Sequence, residues 1–215
     1  MASSLDTIGH FAKNVEDAAI ILQTIAGRDK RDATSSPQPL DNYLAELKQP
    51  IKSLKIGLPK EYFEAEGMDP QVKSVIEQGI KQIEELVGQS VKILSLPHTS
   101  YALATYYIIM PAEVSSNLAR YDGIRYGLSV EAQDLLRAYL KTRSQGLGSE
   151  VKRRVILGTY TLSSGYYDAY YKKALQVRTL IKRDFEQAFQ QVDLILAPTA
   201  PTPAFKLGEK TANPL

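Results

Sequence analysis

Two features of this sequence have the most capacity for chemistry. One is the run of cations Lys152, Arg153 and Arg154; the other is residues 166–173, where four of eight residues are tyrosine. Adjacent cations at the start of an apolar helical run oppose the helix dipole, so that place calls for an anion. Tyrosines at helical spacing bridge a core and a wet surface more often than they stack on bases, although a stacking platform is the sharper alternative. The histidines, His10 and His98, have no neighbours that would complete a metal site, and both read as surface or loop residues. Ser163-Ser164-Gly165 lacks the flanking glycines of a nucleophile elbow, and no phosphate-cradling Gly-x-x-x-x-Gly-Lys loop occurs. With no cysteine, the sequence has no disulfide, thiolate site or cysteine nucleophile.

The elements that must position these residues are clearly punctuated. Asn14, with Asp17 three residues on, caps a helix whose apolar positions are Val15, Ala18, Leu22 and Ile25 and which stops at Gly27. A polar stretch over residues 28–41 precedes a strand at 54–58, ended by Pro59. Asp69-Pro70 opens a second helix, carried by Val72, Val75, Ile76, Ile80, Ile83 and Leu86 and closed by Gly88. A strand at 91–96 completes a βαβ unit, and hence a parallel pair. Residues 100–119 are helical with Pro111 inside, which must kink or divide them. Ser129 caps a helix to about Arg143, and Gly146 and Gly148 flank the next break. Tyr167, Tyr171, Ala174, Ile181, Phe185, Ala188 and Phe189 line a long helix before a strand at 192–197 and a proline-rich turn. The fold class is α/β, with a helical block between strands.

Bulk properties exclude several functions. With 44% hydrophobic and 23% charged residues in 215, the chain is an ordinary globular one, and a net charge of +2 gives no global field for gripping nucleic acid. No apolar run nears the ~20 residues that span a bilayer. The opening MASSLDTIGHF has neither the basic nor the apolar region of a signal peptide. A cytoplasmic protein without membrane contact is expected.

Longer blocks carry a resemblance. Residues 2–9 (ASSLDTIG) resemble the segment downstream of the nucleophilic serine in amidase-signature enzymes. Tyr106-Tyr107-Ile108-Ile109, the run from Ala112 to Gly127, Glu150-Val151-Lys152-Arg153-Arg154 and the block 163–171 are similar to one branch of them. That branch is the glutaminase (A) subunits of the glutamyl-tRNA(Gln)/aspartyl-tRNA(Asn) amidotransferases. The resemblance covers essentially the whole chain. It implies part of the amidase-signature fold, a mixed sheet flanked by helices.

The activity it implies is glutamine hydrolysis through a serine nucleophile, a second serine and a lysine. The ammonia would pass to a B subunit that uses ATP and magnesium to amidate mischarged tRNA, with a small C subunit bracing the pair. This chain itself would hold no cofactor. Tyr106 and Arg154 match positions that hold glutamine, and an arginine suits its α-carboxylate, at roughly 1.5–3 kcal/mol per charge-assisted hydrogen bond. The lysine and both serines of the triad are expected upstream of Met1, and an acidic partner for the α-amino group just beyond Leu215. Residues 1–215 would thus be one incomplete amidase domain cut at both ends, inactive alone, and organellar if the source is eukaryotic. His10 departs from the proline usual after Ile-Gly, which loosens that turn. The rival readings are a stand-alone amidase acting on small amides and a helical RNA-binding module.

Overall fold

The computed structural model describes residues 1–64 and 67–209. The chain forms two compact units, Thr7–Lys52 and a larger one made of Met1–Asp6 with Ser53–Leu215. In the smaller unit, helix α1 (Val15–Ile25) begins where the sequence predicts. The Asn14 side chain accepts from the Asp17 amide at 2.8 Å and donates to the Asp17 carboxylate at 2.9 Å, so cap and third position satisfy each other. A short helix α2 (Tyr43–Glu46) is tied back by its Tyr43 amide, which donates to the Gln23 side chain at 2.9 Å. Nε2 of His10 donates to the Ala18 carbonyl at 2.9 Å. A proline there could not make this bond, so the histidine fastens the turn that its departure from proline was expected to loosen.

The larger unit is built on a parallel sheet of β1 (Ile56–Pro59), β2 (Lys92–Leu94) and β3 (Leu194–Ile195), in the order β2-β1-β3. Leu58 pairs with Ile93, and Ile56 with Leu194. All three described strands are parallel, whereas the resemblance implies a mixed sheet. Pro59 closes β1 from inside the strand and leads directly into helix α3 (Lys60–Phe63). The crossover helix α4 (Pro70–Val87) has its predicted signals. Asp69 accepts from the amides of Gln71 and Val72 at 2.7 and 3.2 Å, and Gly88 ends it in the left-handed conformation, φ 75°. The second strand stops short of Leu96 because the Leu96 amide donates instead to Glu61 of α3, at 2.9 Å. Leu94, Leu96, Ala188 and Val192 form the core on one face of the sheet, with Tyr62 and Phe185 against them. On β2 and β3, Ile93 and Leu194 are exposed.

The helical block comprises α5 (Ala102–Leu118), α6 (Leu135–Gly146), α7 (Ser149–Leu162) and α8 (Lys173–Phe189). Helix α5 does not divide at Pro111, although the ring removes one helical donor. α6 begins later than the sequence suggests. Its cap is Asp134, which accepts from the Arg137 amide at 2.7 Å, while Val130, next to Ser129, donates its amide to the Thr142 hydroxyl at 3.0 Å. An ionised carboxylate meets the positive helix end better than a hydroxyl does. α5 and α7 touch where Gly158 faces the Pro111 carbonyl; a Cβ on Gly158 would lie 1.8 Å from that oxygen. Ala2, Met110, Val114 and Leu118 fill the core beside this crossing, with Val151 and Val155.

The tyrosine run is helical, as expected, but its first turns, Tyr167–Lys172, are π-wound. Tyr166 and Tyr170 lie 6.0 Å apart by ring centroid, and Tyr160 of α7 lies 4.3 Å from Tyr166. The Tyr160 hydroxyl is pushed up to about 12 by its hydrogen bond to Tyr166, with burial and the neighbouring tyrosines adding. No helix among the described residues is long and apolar enough to cross a membrane.

Gly158→Ala is expected to destabilise the fold by about 1–3 kcal/mol or more, because the two helices must part. Gly79→Ala, at an open position inside α4, should instead stabilise it by about 0.5–1 kcal/mol. Urea midpoints of the two variants should therefore move in opposite directions. The tyrosine cluster adds a pH dependence. Tyr160 keeps its proton to about 12 when folded and loses it near 10.0 when unfolded. Its contribution is complete below pH ~10 and disappears as pH rises through about 12. Tyr160→Phe should flatten that alkaline loss of stability in denaturant melts taken across the interval.

Candidate functional site

Helix α5 carries Tyr106 and helix α7 carries Arg154, and their close crossing brings both into one cavity of about 310 Å³. That is the small end of the range for ligand pockets, roughly 300–1,000 Å³. Met110, Val114 and Val151 give it an apolar wall; its charged groups are Glu150, Arg154 and Asp6, the last paired with the Met1 ammonium. The Tyr106 ring meets Tyr107 edge-to-face at 5.4 Å, and the Arg154 guanidinium lies 5.8 Å from the Tyr107 centroid, within cation–π range. Sequence reading thus named two residues 48 positions apart that the fold places in one cavity.

The basic triplet lies in the first turns of α7, at the helix start where the sequence places it. The anion that it needs is already present in the chain. Oε1 of Glu150 accepts from Nε of Arg154 at 3.1 Å and lies 2.9 Å from its Nη2, while Oε2 forms an ion pair with Nη1 of Arg153 at 3.1 Å. Lys152 turns away and donates to the Ser144 carbonyl at 2.7 Å, near the end of α6. Sequence reading singled out the arginines and passed over Glu150, although three- and four-residue spacing to them on a helix was a legible sign of the pairing.

The cavity's remaining wall is the segment Met1–Asp6, laid across the helical block with Ala2 buried. Its Ser4 amide donates to Glu113 of α5 at 2.9 Å and the Ser4 hydroxyl bonds the same carboxylate. Arg178 of α8 donates to the Ser4 hydroxyl and carbonyl at 2.7 and 3.1 Å. Asn117 donates to the Met1 carbonyl at 2.9 Å. These polar ties hold Ala2 and Asp6 at the cavity. Residues far apart in sequence make them, so no local spacing announces them.

The other candidates lie elsewhere. Ser163 ends α7 and donates to the Tyr160 carbonyl at 2.7 Å, which makes it a capping hydroxyl. His98 is in the loop after β2, as expected, but is not a lone loop residue. Its amide and Nδ1 both bond the buried carboxylate of Asp184 on α8, at 2.9 and 3.0 Å.

Known proteins resemble this chain throughout. A family model described as Amidase matches residues 1–215. The A subunit of the glutamyl-tRNA(Gln) amidotransferase from Heliobacterium modesticaldum is 60% identical over 215 residues, covering 100% of this chain and 44% of that protein. Its namesake from Carboxydothermus hydrogenoformans gives the same 60% identity and the same coverage. The crystal structure of the corresponding glutamyl-tRNA(Gln) amidotransferase chain from Thermotoga maritima superposes with a TM-score of 0.71 at 37% identity, over 97% of this chain and 40% of that one. The chain therefore spans about 44% of the length of the curated relatives it matches. With a family match that runs its full length, this chain belongs to the amidase family.

Proposed function

We propose that this chain forms one wall of a glutamine pocket in a longer amidase. That protein hydrolyses glutamine and so provides ammonia for converting Glu-tRNA(Gln) or Asp-tRNA(Asn) to the amidated form. The meeting of Tyr106 and Arg154 in one cavity of amino-acid size supports this reading most directly. Arg154 has five N–H donors in a planar fork, and a carboxylate takes two parallel ones. With its α-carboxylate on Arg154, glutamine lays its methylenes along Met110, Val114 and Val151 beside the Tyr106 ring. Nothing in this wall attacks the amide; the serine and lysine machinery belongs to the rest of the longer protein. The chain's part is to bind and orient.

The names of the relatives support the wider setting, a tRNA-dependent amidotransferase acting as a ligase in translation. The partners in that reading are a B subunit, which uses ATP and magnesium on mischarged tRNA, and a small C subunit. All three work in the cytoplasm.

Steady-state glutaminase kinetics of the longer protein carrying this chain test the reading. Losing charge-assisted bonds worth roughly 1.5–3 kcal/mol corresponds to about a ten- to hundredfold rise in KM for glutamine in Arg154→Lys, with a smaller change in kcat. An unchanged KM would remove Arg154 from the substrate site and the proposal with it.

A further inference from the structure

We infer that Glu150 is a positioning residue, one that presents Arg154 to a ligand carrying a single carboxylate. This inference rests on the glutamine reading and names how the site selects its ligand. A guanidinium offers a side edge, Nε with Nη2, and an end edge, Nη1 with Nη2. Glu150 takes the side edge, its Oε1 at 3.1 Å from Nε and 2.9 Å from Nη2. The end edge keeps the two parallel donors that a carboxylate needs. The Tyr107 ring lies 5.8 Å from the same group, so the fork is held by one edge and one face.

Glu150 also sets the charge. Through Oε2 it binds Arg153 at 3.1 Å, so one carboxylate serves two guanidiniums and a single positive charge is left over. A ligand carboxylate balances that charge. A second one would enter beside the Glu150 carboxylate, where the cavity's remaining charges, Asp6 and the Met1 ammonium, already satisfy each other. Glutamine and glutamate differ by this one charge, so Glu150 favours the substrate over the product of its hydrolysis. Such discrimination rests on repulsion as much as on attraction.

The experiment measures KM for glutamine and the inhibition constant of glutamate in the longer protein carrying Glu150→Ala, Glu150→Gln or Arg154→Lys. Glu150→Ala frees the guanidinium and should raise KM about tenfold, with kcat changed less than about twofold. Glu150→Gln still offers an oxygen to Arg154, so it should recover most of that KM. It removes the charge, and glutamate should then bind about tenfold better relative to glutamine. If Arg154→Lys raises KM while Glu150→Ala does not, or if Glu150→Gln leaves the glutamate-to-glutamine ratio unmoved, the role of Glu150 is overturned. If Arg154→Lys itself leaves KM unchanged, the glutamine reading falls, and this inference with it. A merely structural Glu150 would alter the melting temperature but not the ratio.

Discussion

The close approach of α5 and α7 is the constraint on which the rest of the site depends. Gly158 has no side chain to keep the Pro111 carbonyl away, so the two helices meet at backbone distance. Only at that separation do Tyr106 and Arg154 line the same cavity and Val151 and Val155 reach the core formed by Met110 and Val114. A wider crossing would turn one pocket into two shallow surfaces. Packing of this kind tolerates little change, because buried volume is filled to near-crystalline density.

Much of the fold could be read from local signals. Asn14 with Asp17, Asp69 with Pro70, and Gly88 each satisfy orphan backbone groups within a few residues, so their helices begin and end where the sequence places them. Ser129 misled because two residue types compete for one helix end, and the stronger cap, Asp134, stands five positions later. Strand ends were harder to read. Leu96 is buried like Leu94 two residues before it, yet its amide goes to Glu61, 35 positions away. No period in the sequence reports a bond of that span. The π-winding of residues 167–172 was likewise invisible, since apolar spacing distinguishes a helix from a strand but not one helical pitch from another.

The site divides the same way. Tyr106 and Arg154 were legible because long blocks around them resemble a family, and Glu150 was legible in principle from its spacing. The ties that hold Met1–Asp6 in place were not, because Ser4 meets Glu113 and Arg178 only once α5 and α8 are assembled. Even the adjacent cations were misleading in isolation. Lys152 serves the carbonyl end of α6, Arg153 shares Glu150, and only Arg154 lines the cavity. Chain neighbours on a helix point in different directions, and function follows direction.

The bond between His98 and Asp184 makes the sheet and the pocket one mechanical body. His98 follows β2 by a few residues, and α5, which carries Tyr106, begins four residues after it. Asp184 stands on α8, the helix whose Arg178 also grips the Met1–Asp6 wall. One rigid rod, α8, is thus pinned at one point to the root of the Tyr106 helix and at another to the opposite lip of the cavity. The two pins, Arg178 and Asp184, stand six residues apart on that rod, so a displacement of it reaches both sides of the pocket.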